Sequence, residues 1–203
     1  MSEDKDYLKQ PLGEFLKDLG ARSPTPGGGS AAALVGALGA ALARMAVAYT
    51  VGKEAYATHA KRLEALLDEF AKAAEAMAAL MAEDMAAYRH YAASRRSDAA
   101  VRRQALDRAV DVPMAIIERA VQLADRFDEI KTFTNPYLLS DLNAAVELVL
   151  AAGLAAATSV RVNLDELRGF DPAHADRIAK RLDDALARLS QHRDAVVQFR
   201  VEH

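Results

Sequence analysis

The chain has 203 residues, 52% of them hydrophobic, with no cysteine and a net charge of −3. That length and apolar share suit one substantial core, and hence one domain over residues 1–203. The interspersed charges argue against a nucleic-acid groove or a polybasic membrane surface, and the lack of cysteine excludes disulfides, thiolate zinc centres and cysteine nucleophiles. Alanine is roughly a fifth of the residues, a bias towards helices. The charged opening MSEDKDYLKQ lacks the apolar core of a leader, and with the missing cysteine it sets the expected location as cytoplasmic.

In chain order, residues 11–19 read as a short amphipathic helix through Leu12, Phe15, Leu16 and Leu19, stopped by Gly20. After the SPTPGGG loop, Ser30 is placed to cap a helix reaching about residue 50 and ended by Gly52. A long helix is expected over residues 54–94, its apolar line passing through Leu63, Leu66, Leu67, Phe70, Met77, Leu80, Met81, Tyr88 and Tyr91. The next covers residues 97–127, where Pro113 predicts a kink or a break. Asn135-Pro136 opens a helix reaching about residue 167, and Asp171-Pro172 opens a terminal one lasting almost to His203. No strand-like alternation appears, so the expected fold is all-α: a single-domain multi-helical bundle with long helices. Residues 31–52 and 144–160 carry one charge each, Arg44 and Glu147. Being richer in alanine than in leucine or isoleucine, they read as central elements of a bundle or an oligomer, and no membrane is expected.

Gly27, Gly28, Gly29, Ser30, Ala31 and Ala32 fit G-x-G-x-x-A, but a Rossmann motif needs a preceding strand, and no P-loop Lys-Ser/Thr pair follows. What remains is backbone N–H groups at Gly28, Gly29, Ser30 and Ala31, at the positive end of a long helix, open to an anionic or carbonyl-bearing ligand. The alternative is a plain tight turn. Beyond the turn, Gly29, Ala33, Ala37 and Ala41 line one face and Ala32, Gly36 and Ala40 a neighbouring one, rails along which another backbone can come very close. A homodimer is the expected consequence, with packing inside one chain as the alternative.

Asp84 lies on the stripe of Met77, Leu80, Met81, Tyr88 and Tyr91, where burial raises a carboxyl pKa towards acid–base work; the alternative is a buried aspartate satisfied by a Tyr or an Arg. Asp141 shares a face with Leu138, Ala145 and Leu148 and could equally answer its helix dipole. Asp141, Ser159 and Asn163 fall near one face, yet a rise of about 1.5 Å per residue separates Asp141 from Ser159 by roughly 27 Å. They can meet only across antiparallel copies. His59, His90, His174, His192 and His203 have no ligand spacing, so no metal is expected. Lys53 is placed either to neutralise an anionic ligand or to answer a helix end.

The segments PTPGGGSAAALVGALGAALARM with Thr50-Val51-Gly52-Lys53, EDMAAY, NPYLLSDLNAAV and SVRVNL together resemble, in order, the motifs of the formiminotransferase-cyclodeaminase C-terminal domain family. The resemblance implies an all-helical dimer acting on one-carbon derivatives of tetrahydrofolate as substrate, with no cofactor, and it allows for a separate formiminotransferase partner. It places Pro26, Gly27, Gly28, Gly29, Ser30, Lys53, Ser140, Arg161 and Asn163 at substrate-binding positions, and Asp84 and Asp141 at motif positions suited to proton transfer. The family reads Asn-Val-Arg-x-Asn where this chain has Ser159-Val160-Arg161-Val162-Asn163, so the first amide is missing. The implied reaction is cyclodeamination of 5-formiminotetrahydrofolate to 5,10-methenyltetrahydrofolate with release of ammonia. Methenyltetrahydrofolate cyclohydrolase is the alternative activity, and a folate-binding or helical assembly protein without catalysis the alternative class.

Overall fold

The computed structural model describes residues 5–199, with side chains to His192. Six α-helices form: α1 (Leu12–Leu19), α2 (Gly28–Ala48), α3 (Ala60–Ser94), α4 (Ala99–Ile130), α5 (Leu139–Phe170) and α6 (Pro172–Phe199). The last four residues of the expected terminal helix lie outside the described part. No strand occurs among the described residues, as the sequence pattern requires.

The central pair is α2 and α5, running antiparallel. Gly36 faces Ala152 and Gly39 faces Ala145 and Val149, so rising along one helix means falling along the other. A Cβ on Gly39 would sit 2.7 Å from a Val149 methyl and 2.9 Å from the Ala145 carbonyl, a separation that only glycine permits. Of the expected rails, Gly36 meets α5, while Gly29 meets Asp84 of α3; the tightest approach to α5 is at Gly39, outside both rails and within the same chain. Against this pair pack α3, antiparallel to α2, and α4, antiparallel to α5, as the Arg102–Glu166 pair (3.0 Å) attests for the latter. Leu63, Phe70, Met77, Ile116, Ile117 and Val149 fill the interior, each worth roughly 1.5–3 kcal/mol when fully buried. On the outside, α6 lies parallel to α4, joined by Arg181–Glu118 (2.6 Å) and Arg188–Asp125 (2.7 Å).

Three local expectations need correction. Residues 54–59 form a 3-10 turn (Glu54–His59) with Tyr56 off helical geometry, and α3 starts only at Ala60. Tertiary contacts override the helical pattern there: the Tyr56 hydroxyl donates to the Thr134 carbonyl, and the His59 ring stacks on Phe133 at 4.5 Å. Pro113 does not break α4, because Leu106, Val110, Ile116 and Ile117 are all buried and hold both halves against the core. That burial offsets a proline cost of about 3 kcal/mol. Finally, Gly27 and not Ser30 is the residue that opens α2. Ser30 sits one turn in, where its hydroxyl accepts from the Gly27 N–H (2.9 Å) and donates to the Gly27 carbonyl (3.0 Å).

Both α2 and the Pro136–Phe170 segment are long and apolar enough to cross a membrane by composition, with 44% and 50% of their most apolar windows buried in the protein. Their outward residues include Leu38 on α2 and Leu154 and Val162 on α5, with Tyr49 just past the end of α2.

Candidate active site

At the glycine end of the central pair, α2, α3, α4 and α5 enclose a cavity of about 310 Å³. Gly27, Gly28 and Gly29 form one wall with Pro24 and Thr25, while Asp84, Tyr88 and Tyr91 of α3 form another. Ala109 of α4 and Thr158, Ser159, Val162 and Asn163 of α5 close it. The lining contains one acid, Asp84, and no lysine or arginine.

Asp84 is seated against the start of α2. A Cβ at Gly29 would overlap its carboxylate, so glycine there is what lets the acid reach the helix end. The Ser30 N–H donates to that carboxylate and opposes the shift, but burial dominates and pushes the Asp84 pKa up. The four-donor helix end expected from sequence is therefore partly spent: Ser30 serves Asp84, and the Ala31 N–H is bonded to the Gly27 carbonyl (3.0 Å). Gly28 and Gly29 remain turned to the cavity.

Two neighbours fix the walls. Asn163 donates from Nδ2 to the Ala109 carbonyl at 2.9 Å. Tyr91 donates its hydroxyl to Glu166, which Arg102 also holds (3.0 Å). Burial first, then the Glu166 contact, raises the Tyr91 pKa, so its phenol stays protonated.

The structure splits the remaining sequence-predicted residues. Pro26 is buried behind the turn, and its neighbours Pro24 and Thr25 line the cavity in its place. Arg161 is exposed on α5 and is not part of the lining. Lys53, Ser140 and Asp141 sit at the other end of the central pair, where the Asn135 N–H donates to Thr50 Oγ1 (3.2 Å) and ties the two helix ends together. At about 1.5 Å per residue, the length of α2 alone puts roughly 30 Å between Lys53 and the glycine turn. Within one chain Lys53 is therefore not beside Gly28, for the same reason that Asp141 is not. Lys53 and Ser140 are exposed and Asp141 is half-buried.

Sequence reasoning missed Thr25, Tyr88, Tyr91, Ala109 and Val162 as cavity residues. A signal for two of them existed: Tyr88 and Tyr91 continue the stripe that carries Asp84, one and two turns further on. Among the described residues no group of three or more acidic or histidine side chains is arranged to hold a metal.

A family model for formiminotransferase-cyclodeaminase matches residues 11–184, which is most of the chain and includes every wall of this cavity. The chain belongs to the formiminotransferase-cyclodeaminase family. Among its relatives is a methenyltetrahydrofolate cyclohydrolase from Methylorubrum extorquens, 32% identical over 85% of this chain and 87% of the relative. The formimidoyltransferase-cyclodeaminase of Sus scrofa is 28% identical over 90% of this chain. The chain spans only about a third of that bifunctional protein, 35% of its length. In structure, the formiminotetrahydrofolate cyclodeaminase of Thermotoga maritima superposes with a TM-score of 0.90 at 27% identity, over 94% of this chain and 96% of the other. The family's namesakes are thus folate one-carbon enzymes of both kinds named above, and the all-helical fold is shared over nearly the full length.

Proposed function

We propose that this chain is a folate one-carbon enzyme that cyclises 5-formiminotetrahydrofolate to 5,10-methenyltetrahydrofolate with release of ammonia. The observation that carries the reading is the seat of Asp84: one carboxylate of raised pKa, in a cavity otherwise without charge, at a helix start that glycine leaves open. In this reaction N10 attacks the formimino carbon, the N10 proton is lost, and the departing nitrogen must be protonated before the C–N bond breaks. Starting from the protonated formimino group, a carboxylate can take the N10 proton and return it to the leaving amine, so that ammonia departs and the positive charge stays on the methenyl product. Gly28 and Gly29 offer N–H donors to a carbonyl or anionic part of the substrate, and Tyr88 and Tyr91 offer flat walls to its rings. No external cofactor is needed for these steps.

The working unit in this reading is a homodimer. Leu38 lies at the middle of α2 and Leu154 near the middle of α5, 51% and 47% exposed, on outward faces that carry few charges. A two-fold axis crossing the central pair at that height makes the two copies antiparallel. The partner's Lys53, Ser140 and Asp141 then approach the glycine end, joining Asp84 with Asp141 and supplying the cation that the cavity lacks.

The 32% identity to a stand-alone cyclohydrolase favours a second reading, in which water activated by the same carboxylate attacks the methenyl carbon. One experiment separates the two. Purified protein is given 5-formiminotetrahydrofolate and, separately, 5,10-methenyltetrahydrofolate, and the methenyl absorbance is followed. Its appearance identifies the cyclodeaminase, and its accelerated loss the cyclohydrolase. If neither changes while tetrahydrofolate raises the melting temperature, both catalytic readings fail and binding alone is left.

A further inference from the structure

Pro113 is a helix-interior proline with no role in the chemistry above, and its effect falls on the cavity. Lacking an N–H, it leaves the carbonyl four residues earlier, that of Ala109, without its helical donor. Ala109 lines the cavity, and the donor that replaces the missing one is the Asn163 amide, reaching from α5 to 2.9 Å.

An amide has two ends, and this contact chooses between them. With Nδ2 on the carbonyl, the other end of Asn163 is Oδ1; the flipped amide would set oxygen against oxygen. Among the described residues no group donates to Oδ1, and no buried side-chain oxygen or nitrogen lacks a partner, so Oδ1 is accessible. Asn163 itself lines the cavity.

We infer that Pro113 is a positioning residue for Asn163: by stripping the Ala109 carbonyl of its helical donor it locks the amide with its oxygen facing the substrate. Asn163 then presents its acceptor end to the bound molecule. It selects there for a hydrogen-bond donor, an N–H, and matches the Asp84 carboxylate, which when ionised likewise accepts. Resting on the folate reading, this names an N–H-bearing face of the substrate as the one turned towards α5.

Two measurements test it. In isotope-labelled protein without ligand, the Asn163 side-chain NH₂ signals should show one strongly hydrogen-bonded, slowly exchanging proton. Pro113→Ala supplies an N–H to the Ala109 carbonyl and should erase that signature. The same variant should raise KM for the folate that the enzyme uses by about tenfold, the loss of one hydrogen bond, with kcat little changed. Its melting temperature should stay level or rise, since a helix-interior proline has been removed. A purely structural proline would leave KM unchanged, whatever happened to the melting temperature. The pair Pro113→Ala with Asn163→Asp keeps an acceptor where the carbonyl no longer needs a donor, and should recover KM, whereas Asn163→Asp alone, with oxygen facing oxygen, should not. Amide signals or KM indifferent to Pro113→Ala, or a single Asn163→Asp that binds like the parent, would overturn the inference. If the parent protein turns over neither folate, the proposed function has failed on its own. The amide signals and the calorimetric Kd for tetrahydrofolate then decide the inference separately.

Discussion

The two ends of the α2–α5 pair are built from similar materials to different purposes. At the glycine end a carboxylate is drawn into the protein, desolvated and pressed on an open helix start, inside a walled cavity. At the far end Lys53 and Ser140 stand exposed and Asp141 half-buried. A carboxylate acquires acid–base character from what surrounds it, and Asp84 finds its surroundings, burial and the Ser30 N–H, within the chain. In the dimer proposed above, each end completes its opposite number in the partner.

The largest expected effect that bears on this contrast comes from Asp84→Asn, which should cut turnover by about 10²–10⁴-fold in the methenyl absorbance assay while helicity by circular dichroism is kept. Asp141→Asn should act comparably, and mixing the two inactive variants under exchange should restore activity, because a heterodimer holds one intact site. Failure of the mixture to recover would leave the two ends functionally unrelated. Next in size is Leu38→Glu, which places charge at the proposed two-fold. Sedimentation should then show monomers with an intact melting transition and most activity gone, whereas an active dimer would refute the interface. Gly29→Ala should cost roughly 1–3 kcal/mol by chemical denaturation, since its methyl claims the space of the Asp84 carboxylate.

Smaller still is a pH effect on stability. Asp84 has its pKa raised above 3.8 by burial, so its ionisation opposes folding: its stabilising share is whole below the unfolded value and is lost as pH rises through the folded one. Asp84→Asn should accordingly melt a few degrees higher than the parent at pH 8, with the gap closing below about pH 4. A substitution in the ladder between α4 and α6, Arg181→Ala, breaks an exposed pair and should shift stability by no more than about 0.5 kcal/mol. That ladder and the outward flank of α2 and α5 differ in kind: paired charges cover the first, and exposed apolar side chains such as Leu38 and Leu154 the second.

Much of this was legible from the residue order, for local reasons. Helix extents follow from apolar spacing and from punctuation by Gly20, Gly52, Asn135 and Asp171, and Asp84 was visible as a carboxylate on an apolar stripe. Illegible features were those decided by contacts far apart in sequence. The 3-10 turn at Glu54–His59 depends on Phe133 and Thr134, and the wall at Tyr91 on Glu166, 75 positions away. Of the kink or break expected at Pro113, the break does not occur, because propensity alone weighs the lost hydrogen bond without the burial around it. Distance along a helix was legible for Asp141 and Ser159. The same count applied to Lys53 would have set it apart from the glycine turn.

Gly39 lies well down α2 from the cavity, yet it sets how near α2 and α5 can stand. Since each of those helices supplies a wall, the gauge of the binding slot is fixed at a point that no ligand touches. A single methyl there would act as a shim, forcing apart the two helices that carry those walls.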